Sequence, residues 1–372
     1  MTATLRPRDE SDLAEILATH PRPLEPVGGG TKRAIGRPVA ADALELAALA
    51  GIVAYEPAEL VLTARAATPL AQIEALLGQH RQRLAFEPPD PQPLLGDSGT
   101  PTIGGVLASN SSGPRRLSAG AARDHFLGFH AVSGRGERFR GGGRVVKNVT
   151  GYDLPKLIAG SWGTLAVLTE VTVRVLPAAE HDCTLLFEAL EPEAAVSVFA
   201  RALGSSCEVT AAALEPQHGL ALRLEGIPES VRVRAARLIE LLGVPLRAEL
   251  AGEDSRSWWV RVGAAAPLAA APIVWRLSVP PTDAPRILRE LRPERYLVDW
   301  AGGLVWIGLR SCDPERIRAV VREGHATLIK APPQVRAVTR VFPPLPPALA
   351  AVAARLKSAF DPVGRLNPGR MS

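Results

Sequence analysis

The stretch Pro26-Val27-Gly28-Gly29-Gly30-Thr31-Lys32 puts three consecutive glycines directly after a short apolar segment. Because glycine has no side chain, the backbone N–H groups of such a run are open to close approach by an anion. The run lacks the G-K-[ST] ending of a P-loop and does not follow the G-x-G-x-x-G pattern of dinucleotide-binding folds. Taken alone, it predicts either a surface turn or one wall of a phosphate-binding site.

Two further small-residue stretches occur downstream. Gly99-Thr-Pro-Thr-Ile-Gly-Gly-Val106 leads through Ser109 and Asn110 to Gly113, and Gly160-Ser-Trp-Gly-Thr-Leu165 stands before an apolar segment. Each of these loops adjoins a predicted strand or helix, where backbone N–H groups can face a phosphate. One extended ligand that carries phosphates explains three such loops better than three unrelated turns do.

The sequence around the loops predicts a mixture of helices and strands, since helical periodicity, strand runs and turn residues alternate along it. For the first half of the chain the predictions are a capped helix at 11–18, a strand at 61–66, a helix after Thr68-Pro69, a long loop at 87–101, a hairpin over 129–140 and a strand at 165–176.

Beyond residue 182 short strands alternate with helices and glycine-rich loops become rare. The predicted strands are 183–188, 208–214, 219–224, 273–279, 296–300 and 304–309, and the predicted helices are 192–204, 228–242, 283–291 and 313–323. We therefore expect an α+β protein with a nucleotide-binding domain at 1–178, an α+β cap domain at 179–345, and a C-terminal helix and loop at 346–372 that return to the first domain.

Composition excludes several classes of protein. Of the 372 residues, 47% are hydrophobic and 22% are charged, a balance typical of a globular chain. The net charge of +5 is spread along the sequence, which disfavours a nucleic-acid partner. The three cysteines are isolated, which disfavours an iron–sulfur cluster or a disulfide framework, and no segment has the length and apolar character of a signal peptide or a membrane span. We expect a cytoplasmic protein that meets the inner membrane only through partners.

The glycine loops, the stretch Gly142-Gly-Arg-Val-Val-Lys-Asn-Val-Thr-Gly-Tyr-Asp-Leu154 and the ending Phe360-Asp-Pro-Val-Gly-Arg-Leu-Asn-Pro-Gly369 resemble the FAD-binding (PCMH-type) fold of vanillyl-alcohol-oxidase-type flavoproteins. Within that family the chain is most similar to the glycolate oxidase and D-lactate dehydrogenase branch, and there to the FAD-binding subunits of bacterial glycolate oxidases. The match is specific at 26–177 and 360–370 and loose between 183 and 345. The resemblance implies a two-subdomain FAD-binding domain followed by a cap domain for the substrate.

The resemblance also implies a set of residues that hold FAD. By position in the family's motifs, these residues are Gly28, Gly29, Gly30, Thr31, Gly104, Gly105, Ser109, Asn110, Gly113, Arg123, Asp124, Gly163, Thr164, Val167, Thr169 and Asn367. Many relatives attach FAD covalently through a His or Cys in the first loop. Thr31 and Lys32 occupy that place here, so we expect FAD to be held without a covalent bond.

Candidate catalytic residues come from the chemistry of a 2-hydroxy acid, which needs a cation for its carboxylate and a base for its hydroxyl proton. A guanidinium pairs with a carboxylate through two hydrogen bonds, and Arg276 and Arg310 follow or lie within predicted strands. Trp300 and Trp306 could shield the flavin or pack in a core. His181, His218 and His325 are each isolated, which gives no support to a metal site.

Three functions follow as alternatives. The first is an FAD-binding subunit of a heteromeric glycolate oxidase that works with a catalytic flavin subunit and passes electrons to an iron–sulfur subunit. The second is a self-sufficient FAD-dependent dehydrogenase of a small 2-hydroxy acid, and the third is a flavin-holding scaffold without catalysis.

Overall fold

The computed structural model describes residues 3–143 and 152–371. Its strands are β1 Thr4–Leu5, β2 Leu24–Val27, β3 Asp42–Glu45, β4 Ile52–Glu56, β5 Val61–Arg65, β6 Gln82–Arg83, β7 Phe126–Ser133, β8 Arg138–Gly142, β9 Ala166–Arg174, β10 Leu176–Pro177, β11 His181–Phe187, β12 Ala211–Glu215, β13 Gly219–Gly226, β14 Leu246–Ala251, β15 Ile273–Ser278, β16 Arg295–Asp299, β17 Leu304–Leu309 and β18 His325–Lys330.

The α-helices alternate with these strands along most of the chain. They are α1 Glu10–Thr19, α2 Leu70–Gln79, α3 Gln92–Leu95, α4 Ile103–Ser109, α5 Arg116–Ala119, α6 Leu154–Ile158, α7 Pro192–Leu203, α8 Pro228–Leu242, α9 Gly252–Gly263, α10 Ala284–Leu291, α11 Pro314–Val320, α12 Pro333–Val338 and α13 Pro347–Phe360.

The first region, on the N-terminal side of residue 178, contains two main sheets. Strands β1, β3 and β2 form a small parallel sheet, and β4, β5, β9, β7 and β8 form an antiparallel sheet in that order. Helices α2 and α4 cover one face of the antiparallel sheet, where Ile73, Leu77, Ile103 and Leu107 pack on Leu62 and Val171 in one apolar core. The glycine loops lie at the edges of these elements.

The second region is built on an eight-stranded antiparallel sheet with the order β14-β11-β13-β12-β16-β17-β15-β18. Its alternating side chains serve two cores, as the two-residue period of a strand requires. Trp275 and Leu277 point to the face that α7, α8 and α10 cover, whereas Val274 points to the opposite face. On that opposite face α9 packs together with Ile35 and Leu94 from the first region, so the sheet meets the glycine-loop side of the molecule.

The predicted α+β class is confirmed, and most predicted elements form within a few residues of the expected bounds. Some details differ. Helix α1 begins at Glu10, one residue earlier than expected, because Asp9 accepts hydrogen bonds from the Ser11 and Asp12 amides. Thr68 does not cap α2, since its hydroxyl donates to the carbonyl of Arg65 instead. Several elements were not predicted from the sequence, among them β3, β4, β14, β18, α9 and α12.

The C-terminal tail lies against the first glycine loop. The Leu24 amide donates to Arg365 O at 2.8 Å, and the Asn367 amide donates to Leu24 O at 3.0 Å. Buried Asp361 fixes the bend before this pairing, because its carboxylate accepts from the Arg365 and Leu366 amides and from Lys357 Nζ. Residues 361–371 therefore form part of the wall around the glycine loops.

The remaining expectations concern the second family motif, the cysteines and membrane-spanning helices. Residues 144–151, the centre of the second family motif, lie outside the described residues. Cys183, Cys207 and Cys312 are free thiols. In the described part of the chain, no helix combines the length and the hydropathy that a bilayer crossing needs.

Candidate functional site

Backbone hydrogen bonds bring the first two glycine loops together. The Thr100 amide donates to Gly29 O at 3.0 Å. A Cβ on Gly29 would overlap the Thr100 carbonyl oxygen, and a Cβ on Gly99 would overlap the Gly29 carbonyl oxygen. The two backbones can therefore approach this closely only because both positions are glycine.

The third loop joins the second through the end of α4. The Gly160 amide donates to Leu107 O at 3.2 Å, and the Trp162 amide donates to Ala108 O at 2.8 Å. The tail closes the arrangement, since Asn367 Nδ2 donates to Trp162 O at 2.8 Å. Three loops that are far apart in sequence thus surround one cleft.

The cleft between the loops is a narrow cavity that opens beside Lys32. Its walls include all three loops, the apolar side chains of Val27, Leu46 and Leu168, and the tail residues Asn367 and Arg370. The Ser161 hydroxyl faces this cavity and has no hydrogen-bond partner among the described residues although it is buried. An orphaned buried hydroxyl is uncommon, and a polar ligand in the cavity would satisfy it.

A second cavity of about 900 Å³ continues from the first. Lys32, Ser109, Ser161, Trp162 and Asn367 line both cavities, so the two cavities lie side by side. The second cavity lies between the glycine-loop side and the open face of the eight-stranded sheet. Its volume falls in the range typical of small-molecule sites.

Lys32 occupies the junction of the two cavities. Its ammonium has no hydrogen-bond or ion-pair partner within the two described stretches of chain, and burial lowers its pKa to about 8, with Asp90 opposing the shift through its negative charge. The amine therefore gains its proton more easily when an anion enters either cavity.

Two adjacent rows of residues form the sheet side of the larger cavity. In one row Arg276 is the cross-strand neighbour of both Trp306 and Thr327. In the adjacent row the cross-strand pairs are Asp299 with Leu304, Leu304 with Ser278, and Ser278 with His325. All of these except Ser278 line the cavity. The register of β15 to β18 thus places a guanidinium, a carboxyl group and an imidazole on one surface.

Two guanidinium groups that line this cavity contact the same indole ring. Arg276 Cζ lies 5.0 Å and Arg116 Cζ lies 4.5 Å from the centroid of the Trp300 ring. Trp300 Nε1 donates to Gly113 O at 3.1 Å, so the ring is fixed to the glycine-loop side. Burial lowers the pKa of Arg276 to about 10, and the nearby charge of Arg116 acts in the same direction. Both groups remain cationic at neutral pH.

Asp299 and His325 are the titratable groups opposite these cations. Asp299 is 1% exposed, its carboxylate accepts from the Trp300 amide at 2.7 Å, and burial raises its pKa to about 7. Burial lowers the pKa of His325, and the positive charges of Arg276 and Arg116 lower it further. Asp299 can therefore exchange a proton near neutral pH, whereas the lowered pKa of His325 favours its neutral imidazole.

The structure brings most of the predicted cofactor residues to these cavities. The smaller cavity is lined by Gly28, Gly29, Gly30, Thr31, Gly104, Gly105, Ser109, Gly163, Val167 and Asn367, and the larger one adds Asn110, Gly113, Arg123 and Thr164. Asp124 and Thr169 line neither. The Asp124 carboxylate accepts from the Ala121 amide at 2.8 Å, and Thr169 is a buried residue of β9.

The two arginine candidates differ in position. Arg276 lines the larger cavity, whereas Arg310 is 83% exposed in its side chain and pairs with Glu294. Arg310 follows the last residue of β17 and lies in solvent, which corrects the expectation that it faces a carboxylate site. His218 pairs with Glu215 at 3.0 Å, away from both cavities, and His181 lines neither of them.

Sequence reasoning missed four residues of the larger cavity as functional candidates: Lys32, Arg116, Asp299 and Thr327. Arg116 and Asp299 carry no motif, and only the three-dimensional register brings them together. His325 belongs to a strand that was not predicted, so its position on the sheet face could not be inferred. In the described part of the chain, no group of three or more His, Cys, Asp or Glu side chains is placed to hold a metal ion.

The cavity pair fits a flavin dinucleotide by its chemistry. Glycine backbone and small hydroxyl side chains surround the narrow cavity, as a diphosphate requires. Apolar and aromatic walls dominate the larger cavity, as a flat ring system requires.

Comparison with known proteins also indicates a protein that binds FAD. The family described as FAD binding domain matches residues 1–142. The glycolate oxidase subunit GlcE of Escherichia coli (strain K12) is 38% identical over 355 residues, which cover 94% of this chain and 92% of that protein. The glycolate oxidase subunit GlcD of Bacillus subtilis (strain 168) is 34% identical over 187 residues, which cover 50% of this chain and 39% of that protein.

A solved structure shows the same fold at low identity. An alkyldihydroxyacetonephosphate synthase superposes on 98% of this chain and 76% of its own with a TM-score of 0.70 at 14% identity. The match to GlcE spans nearly the whole of both chains, including the sheet that carries Arg276 and Asp299. The chain therefore belongs to the FAD-binding flavoprotein family that includes the glycolate oxidase subunit GlcE.

Proposed function

We propose that this chain is the FAD-holding subunit of a heteromeric glycolate oxidase or dehydrogenase, which oxidises a 2-hydroxy acid to the 2-oxo acid. The observation that carries the proposal is the adjacency of the two cavities, which share Lys32, Ser109, Ser161, Trp162 and Asn367 in their walls. A dinucleotide in the narrow cavity would extend its ring system into the larger one, beside Arg276 and Asp299. Support also comes from the similarity to GlcE over most of both chains.

FAD would be held without a covalent bond. The residues that line the narrow cavity include neither a histidine nor a cysteine in the described chain, and Thr31 and Lys32 stand where many relatives carry the attachment residue. Gly28 to Thr31, Gly104, Gly105 and Ser161 would contact the diphosphate and its ribityl neighbour. Bound FAD would supply the acceptor for the hydride that leaves the substrate carbon.

Arg276 would orient the substrate. Its guanidinium has no ion-pair partner among residues 3–143 and 152–371, and the rings of Trp300 and Trp306 lie within 5.0 and 5.9 Å of its Cζ atom. A guanidinium that contacts two indoles and has no carboxylate beside it is available to form two parallel hydrogen bonds with a carboxylate. The aromatic walls also exclude water, which strengthens that ion pair.

Asp299 would accept the hydroxyl proton. Oxidation of the alcohol removes a proton from oxygen and a hydride from carbon, so a base must lie in the cavity. A carboxyl group with a pKa raised to about 7 by burial is ionised in part at neutral pH and holds a proton strongly enough to take one. His325, diagonally adjacent to Arg276 on the sheet, is the alternative base.

The partners belong to the same proposal. The similarity to two glycolate oxidase subunits supports a multi-subunit complex. We assign the onward electron transfer to an iron–sulfur subunit and assign any contact with a membrane to those partners.

The test is purification of the chain alone and together with its neighbours, followed by an absorbance spectrum and a flavin count. We expect a yellow chain that releases FAD on acid precipitation. A colourless chain that takes up no FAD at high concentration would remove the proposal.

The second candidate is a self-sufficient dehydrogenase, which the presence of Arg276, Asp299 and His325 in one cavity favours. Turnover of glycolate by the isolated, FAD-loaded chain with an artificial acceptor supports it. Activity only in the presence of partner subunits supports the heteromeric enzyme. A third outcome, full activity of the complex after Arg276→Gln, would support a scaffold role for this chain.

A further inference from the structure

A pair of arginines in the larger cavity has no anionic partner from the protein. Arg116 comes from α5 on the glycine-loop side, and Arg276 comes from β15 of the eight-stranded sheet. Both side chains line the cavity, and both contact the Trp300 ring, at 4.5 and 5.0 Å from its centroid. They are therefore close to each other and face the same space.

Within the described residues, the guanidinium groups of Arg116 and Arg276 form neither a hydrogen bond nor an ion pair. Arg123, which lines the same cavity, differs because Asp124 lies 3.7 Å from its Nε atom. Both side chains are half-buried, and an uncompensated charge in a poorly solvated place is costly. The unpaired state of both groups thus points to a ligand that brings the missing anions.

A single carboxylate does not match this pair. One carboxylate brings a single negative charge, which compensates one guanidinium. The positive charge of the second guanidinium would then remain uncompensated. Asp299 does not substitute for it, since no oxygen of Asp299 lies within 4.0 Å of either guanidinium and its carboxylate already accepts from the Trp300 amide.

The cavity has room for a ligand longer than glycolate. Its volume of about 900 Å³ is large, even though the proposed function gives part of it to the flavin ring. The indole of Trp300 is a fixed neighbour of both cations, because Trp300 Nε1 donates to Gly113 O and the residue is 8% exposed. Both guanidinium groups therefore border the same immobile ring.

We propose that Arg116 forms a second anion subsite beside Arg276, so that the site prefers a 2-hydroxy dicarboxylate over a 2-hydroxy monocarboxylate of the same length. Arg276 binds the carboxylate next to the hydroxyl-bearing carbon, and Arg116 binds the distal carboxylate. This inference rests on the proposed function and names its substrate class.

The experiment measures dissociation constants by calorimetry on the FAD-loaded chain, or on the complex if the chain is stable only there. The probes are matched pairs of equal chain length, 2-hydroxysuccinate against 2-hydroxybutanoate and 2-hydroxyglutarate against 2-hydroxypentanoate. We expect the dicarboxylate of at least one pair to bind about tenfold tighter, the size of one charge-assisted hydrogen bond. Equal affinity in both pairs would overturn the proposal.

Variants distinguish a specific anion subsite at Arg116 from a general loss of ligand binding. Arg116→Gln should abolish the preference and leave the monocarboxylate constant unchanged, and Arg276→Gln should weaken both ligands. Arg310→Gln, at an exposed residue that pairs with Glu294, should change neither. Arg116→Lys keeps the charge and should keep part of the preference, which guards against a fold defect. If Arg116→Gln instead lowers the affinity for FAD and leaves ligand binding unchanged, Arg116 serves the cofactor and the proposal is wrong.

The failures of the two proposals are distinguishable. If the chain takes up no FAD, the proposed function fails. If it takes up FAD and a monocarboxylate reduces the flavin, but no pair shows the preference, only the second subsite fails.

Discussion

The Thr100 amide donates a hydrogen bond of 3.0 Å to Gly29 O, which holds the second glycine loop against the first. The contact has no room for a side chain, because a Cβ on Gly29 would overlap the Thr100 carbonyl oxygen. The pairing of these two residues sets the width of the narrow cavity. Any change that separates them should therefore act on cofactor binding before it acts on catalysis.

We expect Gly29→Ala to lower the affinity for FAD at least about tenfold and to destabilise the chain by about 1–3 kcal/mol, since backbone must move to admit the methyl group. The measurements are fluorescence titration with FAD and thermal unfolding. Gly78→Ala is the control, because a Cβ there meets nothing within 4 Å and α2 gains helix propensity. Normal FAD uptake by Gly29→Ala would contradict the role given to this contact.

Lys32 should couple cofactor binding to pH. Burial lowers its pKa to about 8, and an anionic cofactor nearby would raise that pKa again. Binding then takes up a proton above pH 8, so the dissociation constant for FAD should rise as the pH increases from 8 to 10. Lys32→Gln should flatten this dependence.

Lys156→Gln serves as the control for Lys32, because Lys156 is 56% exposed in its side chain and pairs with Asp153 at 3.1 Å. Its dissociation constant for FAD should follow the wild-type pH dependence. An identical slope in Lys32→Gln and wild type would show that another group carries the proton.

The sequence predicted the glycine-loop side far better than the sheet side. At Gly29, Gly99 and Gly104 the neighbouring backbone leaves no room for a side chain, and the glycine-rich pattern of the sequence shows this directly. Arg116 and Asp299 take their role from cross-strand register and from packing on Trp300, which no local pattern specifies. Strand β18 escaped prediction, although its run His325–Lys330 is apolar in the middle. The domain bounds at 178 and 345 stay predictions.

Substitutions of Arg276 and Arg310 should have clearly different effects on kcat/KM. Arg276→Gln removes the cation that faces the cavity, and we expect kcat/KM for the 2-hydroxy acid to fall about 100-fold, as for loss of a charge-assisted bidentate pair. Arg310→Gln alters an exposed residue that pairs with Glu294 and should leave kcat/KM within about twofold. Steady-state assays of the assembled complex check both. Equal losses in the two variants would contradict the assignment of the cavity.

Asp299→Asn should remove one titratable group from the folded chain and increase the free energy of unfolding at alkaline pH. Burial raises the pKa of Asp299 to about 7 from the usual 3.8, so the folded chain binds its proton more tightly than the unfolded chain does. This group therefore costs stability progressively as the pH rises from about 4 to 7, and the full cost persists above 7. The difference in Tm between the variant and wild type should be larger at pH 8 than at pH 4.5.

The kinetic readout for Asp299 is the pH profile of kcat/KM, which should lose its limb near pH 7 in Asp299→Asn together with most of the activity. His325→Gln is the comparison. If His325→Gln loses that limb and Asp299→Asn keeps it, the imidazole is the base.

Arg223 joins the two regions through a buried ion network. Its side chain, 4% exposed, pairs with Asp182 on the neighbouring strand and with Glu87 at 2.6 Å on the long loop of the first region. Removing the guanidinium leaves buried carboxylates without their cation, so Arg223→Ala should destabilise the chain by about 3–5 kcal/mol in chemical denaturation. Arg232→Ala, on the exposed side of α8, should change stability by less than about 0.5 kcal/mol.

Arg223→Lys tests whether charge or geometry holds this junction. One ammonium cannot reproduce the fork that reaches Asp182 and Glu87 together, so we expect an intermediate loss of stability. Glu87 directly follows Phe86, whose carbonyl accepts from the Gly113 amide at 2.9 Å, and the Gly113 carbonyl in turn accepts from Trp300 Nε1. Loss of Arg223 should therefore also weaken substrate binding. Full stability in Arg223→Ala would show that solvent reaches the network and that its burial does not hold the two regions together.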